Sequence, residues 1–88
     1  MKTYTCHKRV TAMQIAAITT HVDDDTFVLH ETVPNADGTT PGDWVLVSGD
    51  WMRRHKPSKL GYYVRYPDGY ESYSPAAAFE SGYIEVQS

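Results

Sequence analysis

Residues 61–73 have the sequence GYYVRYPDGYESY, which is the clearest structural signal in the chain. Tyrosine and valine favour strands, because aromatic and branched side chains pack well on a pleated, half-buried surface. Between the two tyrosine-rich runs, Pro67 presets φ for a turn, and Gly69 supplies the positive φ that closes it. The pattern predicts a β-hairpin with strands at 61–66 and 70–73.

The residues after the hairpin predict a short helix and a last strand. Ser74 has the side chain of a helix cap, and Pro75 fits the first helical position. The alanine-rich run that follows favours a helix at about 75–81. Gly82 is expected to end this helix in a left-handed cap, and residues 83–86 then form a strand.

The residues before the hairpin predict another strand and helix. Residues 43–48, DWVLVS, have the composition of a short strand. Asp50 is expected to cap a helix at about 50–56, which ends before Pro57. Trp51 and His55 are four residues apart, so the helix places them on one face.

Two further strands are predicted in the first half of the chain. Residues 8–19 fit a strand and a helix almost equally well, and their Val, Ile and Thr content favours the strand. Residues 26–33 alternate cleanly, with Phe27, Leu29 and Val33 on one side. This alternation is typical of a half-buried strand.

The elements together predict one domain, residues 1–88, of the α+β class. Residues 21–25 predict a turn, and residues 34–42, with two prolines and two glycines, predict a long loop. About five or six short strands and two short helices form a small curved sheet or a partly open barrel, with a helix packed on it.

Length and composition indicate a cytosolic protein. The chain has 88 residues, so its core is small and an oligomer would stabilise it. We find neither an apolar run of the ~18 residues that a membrane span needs nor a secretory signal, and we predict no membrane partner. Cys6 is the single cysteine, which excludes an internal disulfide and fits a reducing compartment.

The distribution of charge points to a local anion site. The net charge is −3, yet residues 51–66 contain five basic residues and no acidic one. An acidic chain with one basic segment is not expected to bind extended nucleic acid, but the segment suits a small anionic ligand of the nucleotide type. The predicted ligand-binding residues are Trp51, Arg53, Arg54, His55, Lys56, Tyr63 and Arg65.

This prediction combines arginine and lysine for phosphate oxygens with aromatic rings for stacking on a base. If the helix packs on the strand face that carries Tyr63 and Arg65, then Arg53 and Arg65 converge. The simpler interpretation is a short helix with its basic face in water and Trp51 in the core.

No pattern for catalysis or metal binding is found. The four histidines lack the spacing of metal ligands. Cys6 and His7 are adjacent, and adjacent side chains of a strand point to opposite faces. A glycine-flanked serine and a phosphate-binding glycine loop are both absent. We therefore predict no catalytic residue, no metal site, no cofactor and no enzymatic activity.

The strands near the chain ends are candidates for exposed edges, which another chain can extend. Tyrosine and arginine are also enriched among the residues that dominate binding at interfaces. These features predict a homo-oligomer or a contact with a host protein.

The last third of the chain resembles small, mostly uncharacterised proteins of bacteriophages and prophages. The resemblance is carried by residues 61–75, GYYVRYPDGYESYSP, followed by Ala78-Phe79-Glu80 and Gly82-Tyr83. Lys8-Arg9-Val10, Ala12 and Ile15 are similar too. It implies a phage accessory protein in the cytoplasm of the infected bacterial host, where such proteins often act against host defences. It implies no functional residue.

Residues and resemblance together give three hypotheses. In the first, a non-enzymatic counter-defence protein sequesters a phosphate-bearing ligand, such as a nucleotide or a cyclic-oligonucleotide immune signal. In the second, the protein inhibits a host defence protein by binding it through a tyrosine face or an edge strand. In the third, it is a minor structural phage protein.

Overall fold

The computed structural model describes residues 1–5, 9–20 and 25–85, and these residues form an α+β, strand-rich domain. Along the chain its elements are β1 (Lys2–Thr5), β2 (Arg9–Gln14), β3 (Ala17–Thr20), β4 (Thr26–His30), β5 (Trp44–Ser48), α1 (Gly49–His55), β6 (Tyr62–Arg65), β7 (Glu71–Ser74), α2 (Ala76–Gly82) and β8 (Ile84–Glu85). The predicted fold class is confirmed. Cys6, His7, Lys8, most of the predicted turn at 21–25, and Val86 lie outside the described residues.

The strands form two antiparallel sheets, neither of which closes into a barrel. One sheet has five strands in the order β7-β6-β2-β1-β8, and the other has three in the order β3-β4-β5. The described chain thus contains two strands more than the six predicted segments. One is β1, which no sequence pattern predicted, and the other arises because the predicted strand 8–19 is divided.

This division occurs where the chain passes from one sheet to the other. The N–H of Ile15 donates to the carbonyl of Gly61 (2.9 Å), next to β6 of the five-stranded sheet. The N–H of Ala16 donates to the carbonyl of His30 (2.8 Å), in β4 of the three-stranded sheet. A bent strand that serves two sheets makes a corner between them. It explains why one continuous stretch alternates poorly.

The five-stranded sheet is covered on both faces. On one face, Tyr62 and Val64 of β6 pack with Phe79 of α2, and the Tyr62 and Phe79 rings stack at 4.1 Å. On the other face, Tyr63 lies 5.9 Å from the ring of Trp51 in α1. This second face shares a core with the three-stranded sheet and α1, made by Met13, Ile15, Leu29, Val45, Val47, Trp51 and Tyr63.

The predicted hairpin is confirmed. β6 and β7 pair antiparallel, and Gly69 has a φ of +93°. Its N–H donates to the carbonyl of Tyr66 (2.9 Å), which closes the turn. The second strand begins at Glu71, one residue later than predicted.

The predicted caps of the helices are wrong. Ser48, and not Asp50, caps α1: its Oγ accepts a hydrogen bond from the N–H of Trp51 (3.0 Å), whereas Asp50 lies in the first turn. Pro75 is the cap residue of α2 and Ser74 makes no cap bond, because α2 begins only at Ala76 and Ser74 lies one residue before the cap position.

The end of α2 also differs from the prediction. Tyr83 ends the helix with extended backbone (φ −123°), and its N–H donates to the carbonyl of Phe79 (2.9 Å). Gly82 is not among the glycines with positive φ, so the expected left-handed cap is absent there. The physical reason is that the chain continues directly into β8, which must be extended to pair with β1.

The segments between β4 and β5 follow the prediction in part. Phe27 and Leu29 face the core as predicted, and residues 34–42 contain no strand or helix. Val33 is 60% exposed, because β4 ends at His30 and Val33 already belongs to the loop.

Candidate functional site

A basic cleft of about 640 Å³ lies at the carboxyl end of α1. It is wide and open to solvent, and it is formed by the loop 56–61, the end of β7 and the start of α2. Its lining residues are His55, Lys56, Ser58, Lys59, Gly61, Tyr73, Pro75 and Ala76. We refer to it below as the basic cleft.

The loop that builds the basic cleft has strained backbone at both ends. Lys56 has a φ of +46°, and its N–H donates to the carbonyl of Met52 (2.8 Å) to end α1. Leu60 has a φ of +74°. Among the described residues these are the non-glycine residues with positive φ, a region that L-residues other than Asn and Asp seldom adopt.

Tyr73 fixes the loop from the side of the sheet. Its hydroxyl accepts a hydrogen bond from the N–H of Ser58 (3.2 Å), which connects the loop to β7. The phenol ring also lies directly over Gly61, where a Cβ would overlap the ring and its hydroxyl. Only glycine allows this approach, so position 61 is determined by the shape of the basic cleft.

His55 connects the basic cleft to the core. Its ring lies 4.7 Å from the ring of Trp51, and its Nε2 is buried without a hydrogen-bond partner in the described part of the chain. Burial lowers the pKa of His55 below its usual 6.5, and the positive charge of Arg54 lowers it further. The imidazole is therefore neutral at physiological pH.

The electrostatic character of the basic cleft follows from its lining. Lys56 and Lys59 contribute two ammonium groups, and Arg54 adds positive charge beside His55. Within the described chain, no aspartate or glutamate lines the basic cleft. Positive charge in a concave surface attracts small anions, and ammonium groups bind phosphate oxygens as point charges.

Of the residues predicted from sequence, only His55 and Lys56 line the basic cleft. Trp51 and Tyr63 are 8% and 0% exposed, so neither ring is available to stack on a ligand. The Trp51 Nε1 donates to the backbone carbonyl of Glu71 (3.3 Å), and the Tyr63 hydroxyl donates to the Glu71 carboxylate. Burial, followed by the hydrogen bond to Glu71, raises the pKa of Tyr63 to about 12.

The predicted arginines have three different surroundings. Arg53 pairs with Asp25 (2.9 Å) and with Asp50 (2.7 Å), so its charge is already balanced. Arg54 is exposed beside His55.

Arg65 lies elsewhere and donates to the Tyr63 hydroxyl (3.0 Å). It lines a second groove of about 230 Å³ with Arg9, Thr11 and Tyr66. Arg53 and Arg65 thus have separate partners, and the predicted set is divided between two places.

Six of the eight residues that line the basic cleft were not among the predicted ligand-binding residues, and three of these six have polar side chains: Ser58, Lys59 and Tyr73. Lys59 was visible as part of the basic segment. Tyr73 was not, because only the pairing of Tyr62 with Ser74 and of Tyr63 with Tyr73 brings the end of β7 beside the loop.

Comparison with known proteins gives no family for this chain. No family model matches the sequence, and neither a curated protein nor a solved structure matches it. In residues 1–5, 9–20 and 25–85, no helix has the length and apolar character to cross a membrane, and no three His, Cys, Asp or Glu side chains gather as metal ligands would. The geometry of the basic cleft is therefore the basis for a functional proposal.

Proposed function

We propose that this protein binds a small phosphate-bearing ligand in the basic cleft, without chemical conversion of it. The ligand class is a nucleotide or a cyclic oligonucleotide, with a phosphate held by Lys56 and Lys59. As a phage accessory protein in the cytoplasm of an infected bacterium, it would sequester such a molecule as a counter-defence protein. This biological role rests on the sequence resemblance, and the binding site rests on the geometry.

One observation carries the proposal: strained backbone and unbalanced positive charge occur in the same loop. A left-handed conformation costs an L-residue about 1–2 kcal/mol. Leu60 recovers little of this by packing, since it is 63% exposed. Strain of this kind concentrates at ligand sites, where the surrounding structure enforces a required shape. Here the strain shapes the loop that presents Lys56 and Lys59.

The dimensions and chemistry of the basic cleft suit such a ligand. Its volume of about 640 Å³ is within the range of small-molecule sites. Phosphate oxygens would accept hydrogen bonds from the two lysines and from the Ser58 hydroxyl. The half-buried Tyr73 ring at the wall offers an apolar surface to a sugar or base. The larger part of a cyclic oligonucleotide would extend out of the basic cleft into solvent.

The test compares two double variants that each remove two positive charges. Lys56→Gln/Lys59→Gln removes the two ammonium groups that line the basic cleft. Arg9→Gln/Arg65→Gln removes the two guanidinium groups that line the second groove. Calorimetry and thermal shift with a panel of nucleotides, cyclic oligonucleotides and inorganic phosphate measure binding. We expect wild type to bind one class, and the lysine variant to bind it about 10- to 100-fold more weakly, which corresponds to roughly 1.4–2.8 kcal/mol.

Each outcome decides between sites. Loss of affinity in the lysine variant alone supports the basic cleft, and loss in the arginine variant alone assigns binding to the second groove. Equal, small losses in both would indicate general electrostatic attraction and contradict a specific site. A wild-type protein that binds nothing in the panel excludes sequestration of these ligands.

A second candidate is an inhibitor that binds a host protein through the hairpin tip. Tyr70 is 51% exposed, and its ring lies 5.8 Å from that of Tyr66 at the end of β6 and β7. Exposed tyrosines are frequent at protein interfaces. A host protein captured from lysate by wild type, but not by Tyr70→Ser, would favour this function, provided that the ligand panel gives no binding.

A further inference from the structure

The outer face of the three-stranded sheet presents apolar side chains to solvent. In β5, Trp44 is 53% exposed and Leu46 is 49% exposed. Leu46 pairs across the sheet with Val28 of β4, which is half-buried. Large apolar side chains grouped on one face of a small domain are typical of an interaction surface.

The same strand is an open edge of its sheet in the described part of the chain. On its other side β5 pairs with β4. The N–H of Gly49 donates to the backbone carbonyl of Asp25 (2.7 Å), and the N–H of Glu31 donates to the backbone carbonyl of Asp43 (2.9 Å). In an antiparallel pair, the residues that bond to the partner alternate with residues whose backbone groups point away. Odd-numbered residues bond to β4, so Trp44, Leu46 and Ser48 direct their N–H groups outward.

β5 lacks the usual protection of an edge strand. Natural edges are protected by charged side chains, prolines or bulges, whereas Trp44–Ser48 has the uncharged sequence WVLVS. Helix α1 packs its Trp51 into the core, and its Arg53 reaches Asp25 next to β4, on the side of β5 that is away from the edge. A strand of a second molecule therefore has access to it.

We propose that β5 pairs antiparallel with β5 of a second copy of this chain, about a two-fold axis at Leu46. In this register Leu46 faces Leu46 of the partner subunit, and Trp44 faces the partner subunit's Ser48. Both three-stranded sheets then join into one, with about four interchain backbone hydrogen bonds. The two exposed apolar side chains of each copy lie together across the joint.

Charge favours a second copy over a charged partner. The facing residues in this register carry no charge, and the flanking Asp43 and Asp50 face glycines of the partner subunit, at positions 49 and 42. Asp50 is moreover paired with Arg53 (2.7 Å). Pairing of two β5 strands therefore places no like charges directly opposite each other. A strand with basic or acidic side chains would gain no ion pair, because β5 carries no charged side chain. The inference does not depend on the proposed function of the basic cleft.

The test places opposite charges at the two-fold axis. Leu46→Glu puts two carboxylates face to face in a homodimer, and Leu46→Lys puts two ammonium groups there. Sedimentation across about 5 μM to 500 μM is expected to show a monomer–dimer equilibrium for wild type. We expect each variant alone to be monomeric over this range, with the association constant reduced at least tenfold.

A mixture of the two variants, labelled with different fluorophores, is expected to form heterodimers. This rescue separates loss of the interface from loss of folding, which circular dichroism of each variant checks directly. Tyr70→Glu, an equal change on the exposed tip of the other sheet, is the control and should dimerise as wild type does.

Three results would overturn the proposal. If the wild-type protein is monomeric at every concentration, β5 does not pair with a second copy of this chain. Variants that dimerise normally place the interface elsewhere. A mixture without heterodimers contradicts the two-fold register at Leu46.

Discussion

At the scale of single residues, the basic cleft depends on positions where backbone geometry and side-chain chemistry conflict. Lys56 ends α1 in the left-handed conformation that glycine adopts most easily, and yet it carries one of the two ammonium groups of the basic cleft. Gly61 shows the reverse case, in which the side chain is absent because Tyr73 occupies its place. The two positions allow stability and ligand binding to be separated experimentally.

Lys56→Gly is expected to change stability and binding in opposite directions. Glycine removes the cost of the positive φ, so the free energy of unfolding should rise by about 0.5–1 kcal/mol. The same change removes one ammonium group, so affinity for the proposed phosphate-bearing ligand should fall. Chemical denaturation and calorimetry on one preparation measure both. Lys56→Gln, which keeps the strain and loses the charge, is the control and should weaken binding without the gain in stability.

The pKa of His55 predicts how stability changes with pH. Its pKa in the folded state lies below 6.5, so the unfolded chain binds the proton more readily. The stabilising contribution of neutral His55 to the free energy of unfolding is therefore fully present above about pH 6.5. It is lost as pH decreases toward the folded-state pKa. Denaturation at about pH 7.5 and about pH 5.5 measures this loss. His55→Gln should lose less stability between these values than wild type, and an equal loss would contradict the assignment.

At the scale of elements, one serine acts as a cap and another only resembles one. Both serines have the side chain of a cap, and both end a strand. Ser48 directly precedes α1 and accepts a hydrogen bond from Trp51, whereas Pro75 lies between Ser74 and the start of α2. Position relative to the first helical residue thus decides which serine can cap. In the bent stretch 9–20, the sheet that each half joins is set by distant partners, Gly61 and His30.

The two serines form a matched pair for measurement. Ser48→Ala should lower the free energy of unfolding by about 1 kcal/mol, because the N–H of Trp51 loses its partner. Ser74→Ala should change it by less than about 0.5 kcal/mol. Urea denaturation of both variants tests this, and an equal effect of the two substitutions would show that the cap bond of Ser48 contributes nothing.

At the scale of the whole molecule, the five-stranded sheet organises two cores and separates two surfaces. Tyr62 and Tyr63 are adjacent in β6, and each belongs to a different core. The basic cleft lies where α1 and the loop meet the end of β7, whereas the apolar edge lies on β5 of the other sheet. The proposed ligand site and the proposed self-association surface therefore share no residue.

The features that could be predicted from the sequence are those that depend on neighbours in the chain. The hairpin at 61–73 follows from its tyrosine and valine content and from Pro67 and Gly69, and the shared face of Trp51 and His55 follows from helical spacing. The α+β class and the long loop 34–42 are likewise local consequences of composition. Each of these interactions spans only a few residues, so the signal is contained in the local pattern.

The surroundings of the basic segment could not be predicted from local sequence, because they depend on how distant parts of the chain pack together. Trp51 and Tyr63 enter the core, Arg53 is balanced by Asp25, and Arg65 belongs to another groove. Lys56 and Lys59 remain available in the basic cleft because the hairpin register places Tyr73 beside their loop. The physical reason is that burial and ion pairing depend on contacts between residues far apart in the chain, which local spacing does not encode.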